Sequence, residues 1–185
     1  SSNTEPTLRK ALAIGADKAI RIDSEPIDGM FVSKEIAEYI KSNHYDLIIA
    51  GRESIDYNGG MVPGLIAGLL QINFVTNCTK LEIEGTKATF EREIEGGKEI
   101  LRCDLTLNIG SQKSLVRESG LKIPDMRGIM QARSKPLEVI EASTLEDFTT
   151  SISFEKPSEK GACKLVDSEN VAELVSLLHN EAKVI

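Results

Sequence analysis

The chain has 185 residues, is 41% hydrophobic and carries a formal net charge of −7. That length closes one hydrophobic core and leaves an appendage, while the acidic balance argues against non-specific nucleic-acid binding. Aromatic residues are only 4% and tryptophan is absent, so there is no stacking platform for bases; no run approaches the roughly 20 apolar residues of a membrane span. In chain order, Glu5 to Ala13 is expected to be a helix, with Thr4 as its N-cap, Pro6 at its first position and Leu8, Ala11 and Leu12 as its apolar stripe. Gly15 ends it, and Ala19 to Asp23 reads as a strand. Gly29 to Asn43 is a second helix capped by Asp28, with Val32, Ile36, Tyr39 and Ile40 inward and Lys34, Glu35, Glu38 and Lys41 outward. Leu47 to Ala50 has the composition of a buried parallel strand, so the expected unit is strand–helix–strand with a right-handed parallel crossover.

Gly51 ends that run, a polar loop follows, and Pro63 suits the first position of an apolar helix reaching Leu70. Gly64 and Gly68 in that helix fit tight packing on a sheet. Strand, glycine-containing loop and helix start form the geometry in which backbone N–H groups and the helix dipole face an anion, beyond the carboxyl end of a strand. The candidate nucleotide or phosphate site is therefore Gly51, Arg52, Glu53, Ser54, Ile55, Asp56, Asn58, Gly59, Gly60, Met61 and Val62. The loop contains neither G-x-G-x-x-G nor G-x-x-x-x-G-K-[ST], and on pattern alone a plain connection with turn glycines is an equal reading.

From Asn73 the period changes to two. Thr79 to Glu84, Ala88 to Ile94 and Glu99 to Leu105 alternate apolar with charged residues around glycine turns, which predicts a three-stranded antiparallel meander (79–105) with one wet face. Arg92 and the surrounding glutamates belong to that solvated face, and Leu105 to Ile109 reads as a strand returning to the sheet. The segment 110–136 is basic on an acidic chain: between Lys113 and Lys135 stand Lys113, Arg117, Lys122, Arg127, Arg133 and Lys135 against Glu118 and Asp125. Pro136 to Lys160 reads as a polar, irregular arm. Asp167 or Ser168 then caps a last helix with Val171, Leu174, Val175 and Leu178 on one face. Cys78, Cys103 and Cys163 form neither a C-x-x-C motif nor an even framework, and His44 and His179 alone build no local metal cluster.

Three stretches carry a family resemblance. Gly51-Arg-Glu-Ser-Ile-Asp56 with Gly59-Gly-Met-Val-Pro-Gly64 and Ile66-Ala-Gly-Leu-Leu70 resembles the nucleotide-binding loop and helix of the electron transfer flavoprotein beta subunit. Glu5-Pro-Thr-Leu-Arg-Lys-Ala-Leu-Ala-Ile-Gly-Ala-Asp-Lys-Ala-Ile20 resembles its alanine-rich helix before a strand, and Glu91-Arg-Glu-Ile-Glu-Gly-Gly97 extends the match. Ile123-Pro-Asp-Met-Arg-Gly-Ile-Met-Gln-Ala-Arg-Ser-Lys-Pro136 resembles the family's partner-recognition segment.

The resemblance implies a Rossmann-like parallel sheet of the adenine nucleotide alpha hydrolase or universal-stress type, with an antiparallel meander and a C-terminal arm ending in a helix. It implies a nucleotide-binding domain over residues 1–136, truncated at its N-terminus, and an arm over 137–185 packed on a partner. It also implies an alpha subunit holding most of a shared FAD, and AMP or a second FAD on this chain. Electrons would come from acyl-CoA dehydrogenase-type flavoenzymes and go to a quinone oxidoreductase. Partner docking would fall on Ile123, Pro124, Met126, Arg127, Gly128, Ile129, Met130, Arg133 and Lys135, with Met126 in place of the family's leucine. Gly59 and Met61 replace the Thr and Gln of bifurcating members, and Gly60-Met-Val62 replaces the AMP type's Asn-Gln-Thr, which favours AMP or no nucleotide over a second FAD. Such a carrier performs no bond chemistry; it is expected in the cytoplasm of a bacterium or the mitochondrial matrix of a eukaryote. The rivals are a universal-stress-like regulatory module and an adenylating or hydrolytic enzyme using Arg52, Glu53 and Asp56.

Overall fold

Strand β6 (Leu107–Ser111) is the most deeply buried element, and the larger sheet is ordered around it. In the computed structural model, which describes residues 2–26, 28–55, 58–143 and 148–185, β2 (Leu47–Gly51) flanks β6 on one side in parallel. On the other side lies β3 (Asn73–Glu84), parallel to β6 through Asn73, Phe74 and Val75. The register of β3 then shifts between Val75 and Cys78, next to Asn77 at φ 55°, a left-handed residue that re-aims the strand. Beyond the shift β3 pairs antiparallel with β4 (Lys87–Ile94), and β4 with β5 (Gly97–Asp104). Gly85 (φ 60°) and Gly96 (φ 82°) make the two tight turns of this meander, conformations that cost a side-chain-bearing residue more. One long strand thus belongs to the parallel sheet and the meander at once. Val75, Cys78, Ala88, Phe90, Leu107 and Ile109 form the core on its inner face. The outer face carries the cross-strand ion pair of Lys98 with Glu91 at 2.6 Å. Arg92, expected on that wet face, instead lies with Glu99 (2.6 Å) on the same face as Phe90 and Leu101, where the pair ends the core row and is half-buried.

A second, smaller sheet pairs β1 (Ala19–Asp23) in parallel with β7 (Leu137–Glu141). Leu12 of α1 (Glu5–Ala13), Ala19 of β1 and Ala132 of α4 (Met126–Ala132) close its core. Two expectations change here. β1 and β2 do not form one strand–helix–strand unit: β1 bonds to β7, and β2 bonds to β6 in the other sheet. As an edge strand β2 is covered from one side, and Ile49 is 57% exposed rather than buried. Residues 137–141 are a regular strand rather than the start of an irregular arm, because β1 offers them a free ladder edge.

Helix α2 (Gly29–Lys41) starts at Asp28, whose carboxylate accepts from the Phe31 amide at 2.7 Å. It packs on α3 (Met61–Leu70). Glu35, expected outside, is buried, and so are Phe31, Ser33 and Ala37. Two later residues also reach this helix: Ser143 donates to Glu35, and the Phe148 ring lies 4.1 Å from the Lys34 ammonium. Thr4 has helical backbone (φ −84°) inside a short 3-10 turn, not the extended conformation of an N-cap. Helix α3 begins two residues before Pro63, which still falls in the first turn where its missing N–H costs nothing. Gly64 sits where an added Cβ would meet the Phe74 ring at 3.4 Å, whereas Gly68 faces open space, so tight helix-to-sheet packing holds for the first glycine only.

Ser1–Thr150 form one compact unit and Ser151–Ile185 another. In the second, α5 (Val171–Ser176) is capped by Asn170, whose Oδ1 accepts from the Glu173 amide, and it runs on into a π-helical turn, Leu177–Ala182. Asp167 instead closes the turn before the helix, accepting from the Glu169 amide at 2.9 Å.

Candidate functional site

The described residues of the loop after β2 bond to β6 and to one another. The Arg52 amide donates to the Ser111 carbonyl at 3.2 Å, and the Ser111 hydroxyl to the Ala50 carbonyl at 2.9 Å. Ser54 and Gly59 then bridge antiparallel, Ser54 N to Gly59 O at 3.0 Å and the reverse at 3.3 Å, with Asn58 left-handed at φ 48°. Asp56, a candidate phosphate or acid–base residue, lies outside the described residues. Arg52 is paired with Glu53, and Ile55 stands in solvent. The loop delivers Gly60 as the side-chain-free cap of α3, followed by Met61 and Val62 in the first turn.

Two helix starts lie side by side here: a Cβ on Gly29, the first residue of α2, would be 2.9 Å from the Met61 sulfur. Their termini differ. Asp28 satisfies the start of α2, and its carboxyl is held at about 2, first by the Phe31 amide and further by the amides and hydroxyl at Phe148 and Thr149. The first turn of α3 has no acidic residue, and Gly60 supplies no capping side chain. Its leading amides at Gly60, Met61 and Val62 therefore fit an anion, Pro63 having none to give. Two buried side chains fix that turn. Asn108 of β6, 0% exposed, donates to the Pro63 carbonyl at 2.6 Å. Ser33 of α2 donates to the Gly29 carbonyl at 2.6 Å and reaches the Val62 carbonyl at 3.4 Å. Sequence reading missed both; the signal was a polar Asn inside the apolar run Leu105-Thr-Leu-Asn-Ile-Gly110.

The basic segment leaves β6 with the Gln112 amide bonded to the Cys78 carbonyl at 2.9 Å, passes a 3-10 turn at Glu118–Gly120 and enters α4. Asp125 caps α4, accepting from the Gly128 amide at 2.6 Å. Ile123, Met126 and Met130 project into solvent at 84%, 76% and 67% exposure, with Ile129 and Arg127 also exposed. Pro124 and Ile129, with Pro6, Lys10 and Ala13, line a largely apolar cavity of about 570 Å³ between α1 and α4. Not every candidate docking residue points outward. Gly128 packs on the backbone of α1, and the Lys135 ammonium donates to the carbonyls of Leu12 and Ala16 at 3.0 and 2.7 Å. Arg133 is exposed at the end of α4.

A second cavity of about 590 Å³, at the carboxyl ends of β2 and β6, is lined by Arg52, Glu93, Gln112, Lys113, Arg117 and Glu118. Its charges are mixed, and Gln112 already donates to Glu93 at 3.1 Å. Burial pushes the Cys78 and Cys103 thiols up, away from the thiolate a nucleophile would need.

Comparison with known proteins adds the following. A family profile described as "Electron transfer flavoprotein domain" matches residues 1–145. The protein named electron transfer flavoprotein subunit beta from Bacillus subtilis (strain 168) is 38% identical over 195 residues, covering 98% of this chain and 75% of that protein. The subunit of the same name from Syntrophomonas wolfei is 32% identical over 188 residues, 100% of this chain and 73% of its own. The one from Mus musculus is 30% identical over 192 residues, 99% and 73% respectively.

Proposed function

The chain belongs to the electron transfer flavoprotein beta-subunit family, and from that premise we propose that it pairs with an alpha subunit to form a two-chain electron carrier. The carrier takes electrons from acyl-CoA dehydrogenase-type flavoenzymes and delivers them to a quinone oxidoreductase, in the bacterial cytoplasm or the mitochondrial matrix. The observation that carries the reading is the apolar set Ile123, Met126 and Met130, held in solvent on and beside α4 within the family-like segment 123–136. Large apolar side chains grouped on a surface mark an interaction site, and methionines adapt to more than one partner pocket.

FAD, shared with the alpha subunit, supplies the redox chemistry when bound. Flavin-to-flavin transfer needs no acid, base or nucleophile from this chain, whose residues bind and orient. The amides of Gly60, Met61 and Val62 would hold the phosphate of AMP, with Gly59 held behind them by its bridge to Ser54. Side-chain donors are sparse there, with Arg52 engaged by Glu53, which favours AMP over a second FAD. Residues 151–185, the unit beyond β7, pack on the alpha subunit.

Co-expression with the cognate alpha subunit, followed by absorbance and nucleotide analysis of the purified complex, tests the reading. A yellow heterodimer with about one FAD and one AMP is expected; two FAD would assign the bifurcating class, and a colourless monomer would overturn the proposal. Gly60→Val is expected to empty the AMP position, because its Cβ already meets the Arg52 carbonyl at 3.4 Å and the branch points fill the phosphate approach. Retained AMP in that variant would remove Gly60 from the site.

A further inference from the structure

Helices α1 and α4 cap each other. The Arg9 guanidinium, on α1, donates to the Ala132 and Lys135 carbonyls at 2.7 and 2.9 Å, which lie at and just after the end of α4. Lys135, beyond α4, donates in return to the Leu12 and Ala16 carbonyls, at 3.0 and 2.7 Å, at the end of α1. A helix C-terminus leaves carbonyls without intrahelical donors and carries partial negative charge, so each cation is placed where both terms favour it. Between the two caps the helices nearly touch: a Cβ built on Gly128 would lie 2.3 Å from the Ala13 carbonyl oxygen, a backbone atom that cannot swing aside. Ala132 and Leu12, both buried, close the contact.

Resting on the reading of α4 as the docking element, we propose that Arg9, Gly128 and Lys135 are positioning residues: they lock α4 onto α1 and so hold Met126 and Met130 at a fixed angle for the partner flavoenzyme, without touching it. A seven-residue helix has little stability of its own. Its geometry comes from the clamp, and a pre-set anchor binds without the cost of ordering it on contact. The assignment separates the basic residues of the segment into two kinds. Lys135 and the more distant Arg9 act inside the chain, while Arg127 and Arg133 stay exposed and available to an acidic partner.

The experiment measures affinity of the purified heterodimer for an acyl-CoA dehydrogenase as a function of salt, together with amide hydrogen exchange of α4. Arg9→Met and Lys135→Met are each expected to weaken binding about tenfold at every salt concentration, leaving the salt slope parallel to that of the parent, because no intermolecular charge has been lost. Arg127→Met is expected to flatten the slope. Exchange at the Ile129 and Arg133 amides should rise in both clamp variants, and Lys135→Arg should restore both readouts. If Lys135→Met flattens the slope and leaves α4 exchange unchanged, Lys135 is a contact residue and the inference is overturned. Met126→Ser separates the two levels: unchanged affinity there would remove α4 as the docking element, while the exchange data would still decide the clamp.

Discussion

Single side chains in this protein are spent on holding backbone, and their consequences are specific. Asp28 accepts from the amides of Phe31, Phe148 and Thr149 at 2.7, 2.7 and 2.8 Å, and from the Thr149 hydroxyl at 3.2 Å. Every one of these bonds favours the ionised form, and they outweigh desolvation, so its folded value falls from 3.8 to about 2. A depressed folded value gives stability that is complete above the unfolded value and disappears as pH falls from 3.8 towards 2. Exchange protection of the Phe148 and Thr149 amides should fade in that window, and Asp28→Asn should remove the pH dependence; protection that persists unchanged at low pH would show that other contacts hold residues 148–149. Asn108 works by the opposite logic. It is fully buried, and its amide nitrogen is the donor to Pro63. Asn108→Asp replaces that donor with a buried carboxylate and should cost about 3–5 kcal/mol in urea unfolding at neutral pH. Burial raises the pKa of the introduced acid, so part of the loss should return as pH is lowered.

Elements were legible in the sequence where their pattern was local. The Asp28 cap, the strand at Ala19 and the two glycine turns of the meander are all where the residues place them, since each depends on neighbours within a few positions. What needed distant neighbours was not legible. The pairing of β1 with β7 joins residues more than a hundred positions apart, and nothing in Leu137 to Glu141 names its partner. Glu35 looks like a solvent residue until Ser143 arrives to bond it. The candidate loop was legible as a loop, while the roles of Arg9 and Lys135 in the clamp and of Asn108 under α3 were not, because each bonds to backbone far along the chain. Helix α3 gives a clean contrast. Gly68 faces open space, so Gly68→Ala should raise stability by about 0.5–1 kcal/mol through helix propensity alone. Gly64 faces the Phe74 ring, so Gly64→Val should lower it by about 1–3 kcal/mol by overpacking. Equal effects in thermal melts would mean that the helix-to-sheet contact at Phe74 is loose.

At the scale of the whole molecule, the chain divides into two units, and among the described residues the two buried hydrophobic clusters both lie in the first. Residues 151–166 form no helix or strand, and Val171, Leu174 and Val175 expose an apolar stripe on α5. A helix of six residues with a π-helical extension and an exposed stripe does not persist on propensity; it needs a surface, which in the proposed carrier is the alpha subunit. The triple variant Val171→Ser, Leu174→Ser, Val175→Ser decides between that surface and the chain's own sheet. If the stripe serves the partner, unfolding of the isolated chain should move by no more than about 0.5 kcal/mol, as for substitutions at exposed positions. The heterodimer should then form poorly, because three buried anchors of about 1.5–3 kcal/mol each are lost at once. If the stripe packs within the chain, the isolated variant should be destabilised by several kcal/mol on the same scale, with pairing affected only through the fraction folded. Monitoring unfolding and complex formation on one preparation separates the two, since a partner-facing helix moves the second quantity and leaves the first.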